Sequence, residues 1–472
     1  MTDHKPLTPF DGNVLILGFG SIGQGVLPLI LRHLVSDPGR IRIVTSDDRG
    51  IEVANEYGVL HVTQTLTRDN LGQIVRRHLK PGDFMVNLTV DVASVALIGL
   101  CQDIGALYID TCIEPWDGQY ADPSFTPSQR SNYALREEAR GLQSTYPGGK
   151  TAVIAHGANP GMVSHFVKQA ALNLAADLGG SSAVPADKAG WAALMQRLGV
   201  KTIHIAERDT QYAAKPKEIG EFVNTWSIDG FVGEGVQPAE LGWGTHEMGL
   251  PADGARHGFG CDAAIYLNRP GASTRVRTWT PMEGPFIGFL ITHNEAISIA
   301  DYFTVREGDT VSYRPTVHYA YHPCDDAVLS VHELQGKNWQ QQERQRLIVD
   351  EIVEGVDELG VLLLGHAKNA YWFGSQLSMA ETRALVPHNN ATSLQVTAAV
   401  LAGMVWAIEN PNAGVVEAEE MDHVRVMEVM VPYLGPVVGA YGDWSPLDKR
   451  EALFPEDLDH DDPWQFKNIR VV

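Results

Sequence analysis

The chain has 472 residues, 44% of them hydrophobic and 20% charged, and its 58 acidic and 36 basic side chains give a formal net charge of -22. This length exceeds what one hydrophobic core usually serves, so we expect two or three domains. The composition excludes a long disordered tail, and the negative field excludes nucleic acid while remaining compatible with a cationic ligand or with solubility alone.

The sequence predicts a soluble, cytoplasmic protein without a membrane span. Residues 1–5 lead into polar residues and lack the pattern of an export signal. No run approaches about twenty uninterrupted apolar residues. The histidines lack ligand spacing, so no metal site is expected. Four cysteines without paired spacing are expected to be reduced thiols: Cys101, Cys112, Cys261 and Cys324.

The first segment alternates short apolar runs with helical patterns. The apolar run 14–17 precedes an apolar stripe over 26–34 and a second run over 41–44, which is typical of a βαβ unit. Similar runs follow at residues 84–88, 106–109 and 152–154. Residues 1–158 are therefore predicted to form a nucleotide-binding Rossmann domain with a doubly wound parallel sheet.

The pattern changes after Asn159-Pro160-Gly161. A helix is predicted over 163–178, and more closely spaced strand-like runs follow, so residues 159–385 are predicted to be a second, mixed α/β domain with a largely antiparallel sheet. The runs 361–364 and 370–373 predict a hairpin. A strongly apolar helix over 394–410 is expected to complete the first domain, as part of a C-terminal segment, 386–472, that packs back on it.

A glycine-rich turn follows the first predicted strand. Gly18, Gly20 and Gly23 have the spacing of a dinucleotide fingerprint, and Ser21 and Ile22 open the following helix. In this pattern the first glycine permits a tight turn, the second lets the backbone approach the pyrophosphate, and the third allows close helix packing. The alternative is a glycine-rich turn without a ligand, but such a turn would not have to lie between a strand and a helix as this one does.

Acidic and polar residues stand at the carboxyl ends of three later strands. Asp47, followed by Asp48, is placed to accept hydrogen bonds from the adenosine ribose, which favours NAD over NADP, although the adjacent Arg49 weakens that preference. The remaining strand-end residues are expected where the nicotinamide and the substrate meet: Thr89, Asp91, Asp110 and Thr111.

Four further carboxylates occur in apolar or glycine-rich surroundings and are candidate site residues: Glu114, Glu207, Glu234 and Glu295. Each has an ordinary alternative, since such an acid is often paired with a nearby arginine, as Glu207 is with Arg208 in sequence. Trp226 is either a core residue or an aromatic face for a cation. A histidine ordinarily titrates near neutrality, so His293 is expected to be either a pocket residue that exchanges protons or a core histidine bonded to backbone.

The order of these motifs resembles bacterial homospermidine synthases over essentially the whole chain. The resemblance rests on the fingerprint, residues 110–116, residues 156–161, residues 207–211, residues 224–227 and Gly233-Glu234-Gly235. That family is similar in architecture to saccharopine reductases. The Trp226 and Glu234 segment is its more specific part, since the fingerprint and the Asn-Pro-Gly turn are shared with those relatives.

The resemblance implies a homodimeric enzyme that condenses two putrescine molecules, releases ammonia and recycles bound NAD. It implies that Glu234, Asn159 and Trp226 hold the amine that is oxidised, and that Glu114, Glu207 and Asp91 bind the remote or second amine. Glu234 is also the candidate proton acceptor, and His293 and Glu295 are further pocket members. A buried ammonium needs such carboxylates or an aromatic face.

Two other functions stay open on the sequence. A saccharopine-type NAD(P)-dependent reductase would need cationic anchors for substrate carboxylates, and arginines are available for them: Arg208, Arg256, Arg275 and Arg277. A nucleotide-binding sensor would use the first domain without catalysis. The sequence does not choose between putrescine, spermidine and diaminopropane, because function resides in the site rather than in the fold.

Overall fold

Residues 6–472 are described by the computed structural model. Residues 1–5, on which the expected lack of an export signal rests, lie outside the described residues. The N-terminal elements are β1 (Val14–Leu17), α1 (Ser21–His33), β2 (Ile41–Thr45), α2 (Ile51–Glu56), β3 (Leu60–Thr63), α3 (Leu71–His78), β4 (Phe84–Asn87), α4 (Ser94–Ile104), β5 (Leu107–Asp110), α5 (Asn132–Thr145) and β6 (Ala152–Val153).

Six of these strands form a parallel sheet in the order β3-β2-β1-β4-β5-β6. All residues of β1, β4 and β5 are buried, as expected for strands covered by helices on both faces. The strand order reverses next to β1, and the carboxyl ends of β1 and β4 open a crevice there, where dinucleotides bind in such folds. The predicted doubly wound sheet is confirmed.

The middle of the chain folds into a second, mostly antiparallel structure. Its elements are α6 (Met162–Asp177), α7 (Lys188–Leu198), β7 (Thr202–Asp209), β8 (Tyr212–Ala213), β9 (Glu221–Asn224), α8 (Ile228–Val236), β10 (Pro238–Gly242), β11 (Gly254–Arg256), β12 (Ala264–Pro270), β13 (Arg275–Thr280), β14 (Gly284–Phe289), α9 (Asn294–Tyr302), β15 (Val305–Glu307), β16 (Thr310–Tyr313), β17 (Thr316–His322), α10 (Asp325–Gly336), β18 (Arg344–Leu347), β19 (Ile352–Glu354), β20 (Val356–His366), β21 (Asn369–Ser378) and α11 (Met379–Leu385).

Nine of these strands lie in an eleven-stranded sheet around the path β11-β12-β10-β17-β7-β20-β21, which two C-terminal strands complete. Its pairs are antiparallel except β7 with β17, which run parallel. The predicted hairpin is confirmed, because β20 and β21 pair antiparallel over most of their length. The mixed, largely antiparallel second domain is therefore confirmed as a fold class.

The C-terminal residues contribute to both sheets. They form α12 (Ala391–Glu409), β22 (Val415–Val416), α13 (His423–Met430), β23 (Val437–Gly442), α14 (Phe466–Ile469) and β24 (Arg470–Val471). β22 extends the parallel sheet beside β6, while β23 and β24 join the antiparallel sheet. The predicted domain boundaries at 158 and 385 stay predictions, and the segment after 385 connects the two sheets.

Among the described residues one helix, α12, is long and apolar enough to cross a membrane by composition. Of its most apolar window 89% is buried inside the protein, where α12 packs against α1 and α13. Burial on this scale is what a central core helix shows. We therefore assign α12 to the core of the fold.

A buried histidine of the antiparallel sheet makes stability depend on pH. His318 stacks on His204 with ring centroids 4.2 Å apart, and burial lowers the pKa of His318 from 6.5 to about 4. Between these two pH values the His318 ring is protonated in the unfolded chain but neutral in the folded chain. The contribution of neutral His318 to the free energy of unfolding is complete above pH 6.5 and is lost as the pH falls towards about 4.

We expect the destabilisation caused by His318→Gln to shrink by about 2 kcal/mol between pH 7.5 and pH 5, since glutamine does not titrate. Urea unfolding of variant and wild type at both pH values measures this difference. The matched control is His460→Gln, because the His460 side chain is 62% exposed. A difference that stays constant with pH would contradict the prediction.

Candidate active site

The glycine-rich turn after β1 has the shape that a dinucleotide needs. Gly18 has a φ of +80°, and a Cβ there would lie 2.6 Å from the carbonyl oxygen of Leu88. A Cβ on Gly23 would lie 2.9 Å from the carbonyl oxygen of Gly18. A Cβ on Gly20 would meet no atom within 4 Å, so that position faces open space at the start of α1. The backbone at Gly18 and the close packing at Gly23 require glycine, and the predicted role of the three glycines at a cofactor stays a prediction.

Gly20→Ala tests the cofactor site without disturbing the fold. The added methyl group touches no protein atom within 4 Å but occupies the space through which a pyrophosphate would approach the backbone. We expect NAD to bind at least about tenfold more weakly, a loss of about 1.4 kcal/mol. Titration of NAD followed by fluorescence checks this. Gly72→Ala in α3, with a neighbour only at 4.0 Å, is the control that should bind normally.

The two acids at the end of β2 are already engaged with protein groups. Arg49 donates to Asp47 from its backbone N–H and from Nε, at 2.9 and 2.8 Å. The hydrogen bond from the Arg49 side chain holds the pKa of Asp47 below its usual value. Asp48 accepts a hydrogen bond from Thr63. The role of Asp47 and Asp48 at the ribose stays a prediction.

A cavity of about 870 Å³ of empty space, partly open to solvent, lies where the carboxyl ends of the parallel strands meet the second sheet. Its lining is Ile22, Asn87, Leu88, Thr89, Val90, Thr111, Cys112, Glu114, Gly157, Ala158, Asn159, Pro160, Glu207, Trp226, Ser227, Gly230, Glu234, His293, Tyr319, Thr392 and Val396.

Glu207, on β7, forms one wall of the cavity and is 2% exposed. It accepts hydrogen bonds from the hydroxyl of Tyr319 at 2.5 Å and from the amide of Asn159 at 2.9 Å. Burial raises the pKa of Glu207 to about 7 against the effect of these donors. Glu207 therefore changes its protonation near neutral pH, which suits proton exchange with an amine.

His293 bridges two carboxylates. Its Nε2 lies 3.0 Å from Glu234 in the cavity, and its Nδ1 lies 3.2 Å from the buried Glu295. Burial alone lowers the pKa of His293, but the charges of Glu234 and Glu295 outweigh it and raise this pKa to about 10. The ring is thus an imidazolium at neutral pH that fixes both acids. Its ring centroid lies 4.5 Å from that of Tyr319.

Glu114 enters the cavity after β5. Its side chain accepts a hydrogen bond from the hydroxyl of Tyr120 at 3.1 Å, and its backbone N–H donates to Ser94. Burial, together with the nearby Glu234, raises the pKa of Glu114 to about 8. Glu114 and Glu207 are therefore two carboxyl groups that a cationic ligand would drive towards the charged form.

Trp226 lines the cavity just before α8. Its Nε1 donates to the hydroxyl of Tyr321 at 3.0 Å, and its ring lies 5.4 Å from that of Phe231. One edge of the indole is held by this hydrogen bond, so the ring is oriented against the cavity. The geometry therefore offers an aromatic face beside the three acids.

Three of the residues predicted to lie at the nicotinamide or the substrate do not line the cavity. Asp91 lies exposed beyond the end of β4, next to the lining residue Val90. Asp110 is buried and accepts hydrogen bonds from the backbone of Ala155 and from Tyr108, both at 2.6 Å. Glu295 has no exposed surface and contacts the site through His293. Their predicted direct contacts with ligand stay predictions.

Sequence reasoning missed several lining residues. Tyr319 lies in β17, whose sequence contains other aromatic residues and does not single it out. The pairing of β17 with β7 in the structure brings its hydroxyl to Glu207. Thr392, at the start of α12, reaches the cavity from more than 150 residues further along the chain than Glu234. The pattern of alternate aromatics in β17 was the one available signal for Tyr319.

No lysine or arginine of the described chain is among the residues that line the cavity. The arginines that could have anchored a substrate carboxylate lie elsewhere. Arg208 faces Glu283 and Asp325, and Arg256 is near Asp262. Arg275 lies over the ring of Phe289, and Arg277 borders a separate cavity near Trp444. The cavity thus presents three glutamates and no fixed side-chain cation other than His293.

Comparison with known proteins identifies the family. Homospermidine synthase from Blastochloris viridis is 56% identical over 476 residues, which cover 100% of both chains. The chain belongs to the homospermidine synthase family. A second homospermidine synthase, from Mesorhizobium japonicum, is 56% identical over 98% of this chain and 96% of its own. The resemblance inferred from the motifs is confirmed.

The crystal structure of the homospermidine synthase from Legionella pneumophila in complex with NAD is similar to this chain, with a TM-score of 0.93 and 48% identity over 98% of this chain and 99% of that chain. Two family models also match: the saccharopine dehydrogenase NADP binding domain over residues 14–153 and the saccharopine dehydrogenase C-terminal domain over residues 157–443. The yeast saccharopine dehydrogenase (L-Glu forming) shares the fold, with a TM-score of 0.52 at 10% identity.

Proposed function

We propose that this member of the homospermidine synthase family condenses two putrescine molecules into homospermidine and ammonia, as an aminoalkyl transferase of class 2.5.1 that recycles NAD. The family membership supports the activity. The observation that carries the substrate class is the cavity itself, in which Glu114, Glu207 and Glu234 meet beside Trp226. Acids and an aromatic face suit a diamine, since a buried ammonium is stabilised by a carboxylate or by the face of an aromatic ring.

NAD is the cofactor, and the turn of Gly18, Gly20 and Gly23 would hold its pyrophosphate at the start of α1. When bound, NAD accepts a hydride from the carbon next to an amine and later returns it to a secondary imine. The lining residues Thr89, Thr111 and Ile22 border the space between that turn and the acids. The protein's own part is to orient the amine and to stabilise its charge.

The acids have distinct tasks in this scheme. Glu234 lies against the charged His293 and is the carboxylate placed to stabilise an iminium and to accept a proton from the amine. Glu207, whose pKa burial raises to about 7, exchanges protons with the arriving and the departing amine. Asn159 and Tyr319 fix the Glu207 carboxyl group through their hydrogen bonds.

Product analysis tests the proposal. Purified protein is incubated with putrescine and with NAD far below the putrescine concentration, and the products are identified by mass spectrometry while ammonia is quantified. We expect homospermidine and ammonia in equal amounts that exceed the NAD supplied. Product limited by the amount of cofactor would instead indicate a reductase of the saccharopine type, and cofactor binding without any amine product would indicate a sensor.

The saccharopine-type reductase is disfavoured by the same cavity, because a substrate carboxylate would find three glutamates and no lining arginine or lysine among the described residues.

We further propose a cytoplasmic homodimer, on the basis of the family resemblance. Sedimentation of the purified protein measures that assembly, and a monomer at working concentration would contradict it.

A further inference from the structure

Three carboxylates lie together behind the cavity wall. Glu207 and Asp209 are two residues apart on β7, and Asp357 on β20 is paired with Asp209 in the sheet register. Alternate residues of a strand point to one face, and directly paired residues share that face. Asp209 and Asp357 have no exposed surface, and the group meets the cavity through Glu207 and through Thr392, a lining residue whose hydroxyl lies 3.5 Å from the Asp209 carboxyl group.

The three carboxylates are not equally supplied with donors. Asp209 accepts from the backbone and side chain of Gln211, at 2.8 and 3.0 Å, and from the hydroxyl of Thr225 at 2.9 Å. Glu207 accepts from two neutral donors, as described above. Asp357 has the hydroxyl of Thr392 nearby, but within the described chain neither of its oxygens has a donor in full hydrogen-bond geometry. Burial raises the pKa of both aspartates, but the donors around Asp209 stabilise its anion better than that of Asp357.

Because Asp357 is paired with Asp209, it lies diagonally across the sheet from Glu207, at a separation that two long side chains can bridge with a hydrogen bond. Such a bond between two carboxyl groups exists only if one of them carries a proton. Burial, together with the charges of Glu207 and Asp209, raises the pKa of Asp357 well above its usual value. Two unprotonated carboxylates in contact inside the protein would be prohibitive, so the Glu207 and Asp357 pair holds a proton at neutral pH.

The titratable and charged groups around Glu207 and Asp357 do not remove the proton that these two carboxyl groups share. The charged groups facing it are His293, on the cavity side of Glu207, and Arg208, whose charge acts on Asp209. The stacked tyrosines Tyr319 and Tyr321 have pKa values raised well above their usual value by burial and by Glu207. Cys324 is likewise a buried thiol near Asp209 with a raised pKa. None of these groups takes the proton from a carboxylate at neutral pH.

The proposed reaction needs groups inside the site that accept protons from the substrates and return them to the products. Each reacting ammonium group must lose a proton before its nitrogen has a free electron pair. At the end of the cycle the ammonia and the new secondary amine each take up one proton. Protons removed and protons returned are equal in number, so none needs to be exchanged with solvent while the cavity is occupied.

We propose that Asp357 is the proton-storing partner of Glu207, an inference that rests on the proposed function. An N–H bond of the substrate ammonium breaks and an O–H bond forms on Glu207, while Asp357 keeps the proton that the pair shared. The reverse transfer protonates the product amine, and no electrons are exchanged with an outside group. Asp357 contacts Glu207 rather than the cavity, so it is a positioning residue that sets the basicity of Glu207.

Asp357→Asn tests this role, because the amide keeps the shape of the side chain but cannot hold the shared proton. We expect kcat at neutral pH to fall about tenfold or more, with the KM for putrescine within about twofold. The acidic limb of the pH profile should move to lower pH, because an amide donor favours ionised Glu207. Glu358→Gln is the matched control, since Glu358 is the next residue on β20 and bonds the backbone of Met282 instead.

Infrared spectra of the NAD-loaded full-length protein without diamine detect the proton directly. We expect wild type at neutral pH to show a protonated-carboxyl band that Asp357→Asn removes and Glu358→Gln keeps. Unchanged bands and an unchanged pH profile would overturn the inference, even if kcat fell. If Asp357→Asn does not fold, the same band must shift in Glu207→Gln, and an unshifted band would overturn it. Because no turnover is needed, failure of this test is distinct from wild type that makes no homospermidine.

Discussion

Glu234→Gln is expected to lower kcat by about a hundredfold to a thousandfold. The glutamine keeps the shape of the side chain but removes the charge that faces the reacting amine and His293, which lies 3.0 Å away. Without that charge no cavity carboxylate is held against the imidazolium, and an iminium loses its nearest counter-charge. Steady-state rates of homospermidine formation, with the KM for putrescine measured alongside, check the prediction.

The same substitution should also lower the pKa of His293. Glu234 is one of the two carboxylates that raise this pKa to about 10 against the effect of burial. A histidine signal that titrates at lower pH in the variant than in wild type, followed by NMR, would accompany the loss of rate. The control is Glu295→Gln, which lies on the far side of the ring. If Glu295→Gln lowers kcat as much as Glu234→Gln, the loss acts through His293 and not through the cavity acid.

Trp226→Leu should lower kcat/KM for putrescine by about thirtyfold. A desolvated cation over a tryptophan face contributes about 2 kcal/mol, and 1.4 kcal/mol corresponds to a factor of ten. Leucine fills part of the same space but has no π face. Since Trp226 lines the cavity at the side of Glu234, the loss falls on the charged amine rather than on NAD.

Trp226→Phe is the matched control for this prediction. It keeps an aromatic face and loses the hydrogen bond from Nε1 to the hydroxyl of Tyr321. We expect a loss of only about fivefold, because a neutral hydrogen bond contributes about 1 kcal/mol. Equal losses in the leucine and phenylalanine variants would show that the hydrogen bond, and not the aromatic face, accounts for the effect. NAD affinity and melting temperature identify variants that are merely misfolded.

The local parts of the fold could be predicted from the sequence. The fingerprint of Gly18, Gly20 and Gly23 and the strand before it depend on residues that are neighbours in the chain. A tight turn permits few residue types, and a buried parallel strand is uniformly apolar, so both leave a readable pattern. The family could be read for the same reason, since its motifs are short contiguous segments such as Gly233-Glu234-Gly235.

The acids of the site were recognisable as candidates, but their partners were not. Glu207 was as compatible with an ion pair to Arg208 as with a pocket role. In the structure successive residues of β7 point to opposite faces, so Arg208 turns towards Glu283 and Asp325 while Glu207 meets Asn159 and Tyr319. The alternation of side chains along β7 could be predicted, but which face of β7 lines the cavity depends on how the whole sheet packs.

The sequence alone determined the parallel nucleotide-binding sheet, its glycine turn, the mixed second sheet and the family. Only the tertiary structure decided that Asp110 bonds backbone, that Glu295 lies behind His293, and that β22 completes the first sheet. It also decided that no arginine lines the cavity among the described residues. Turns and strand periods arise from neighbours in the chain, whereas pairing register, burial and charge partners depend on how separate segments of the chain pack together.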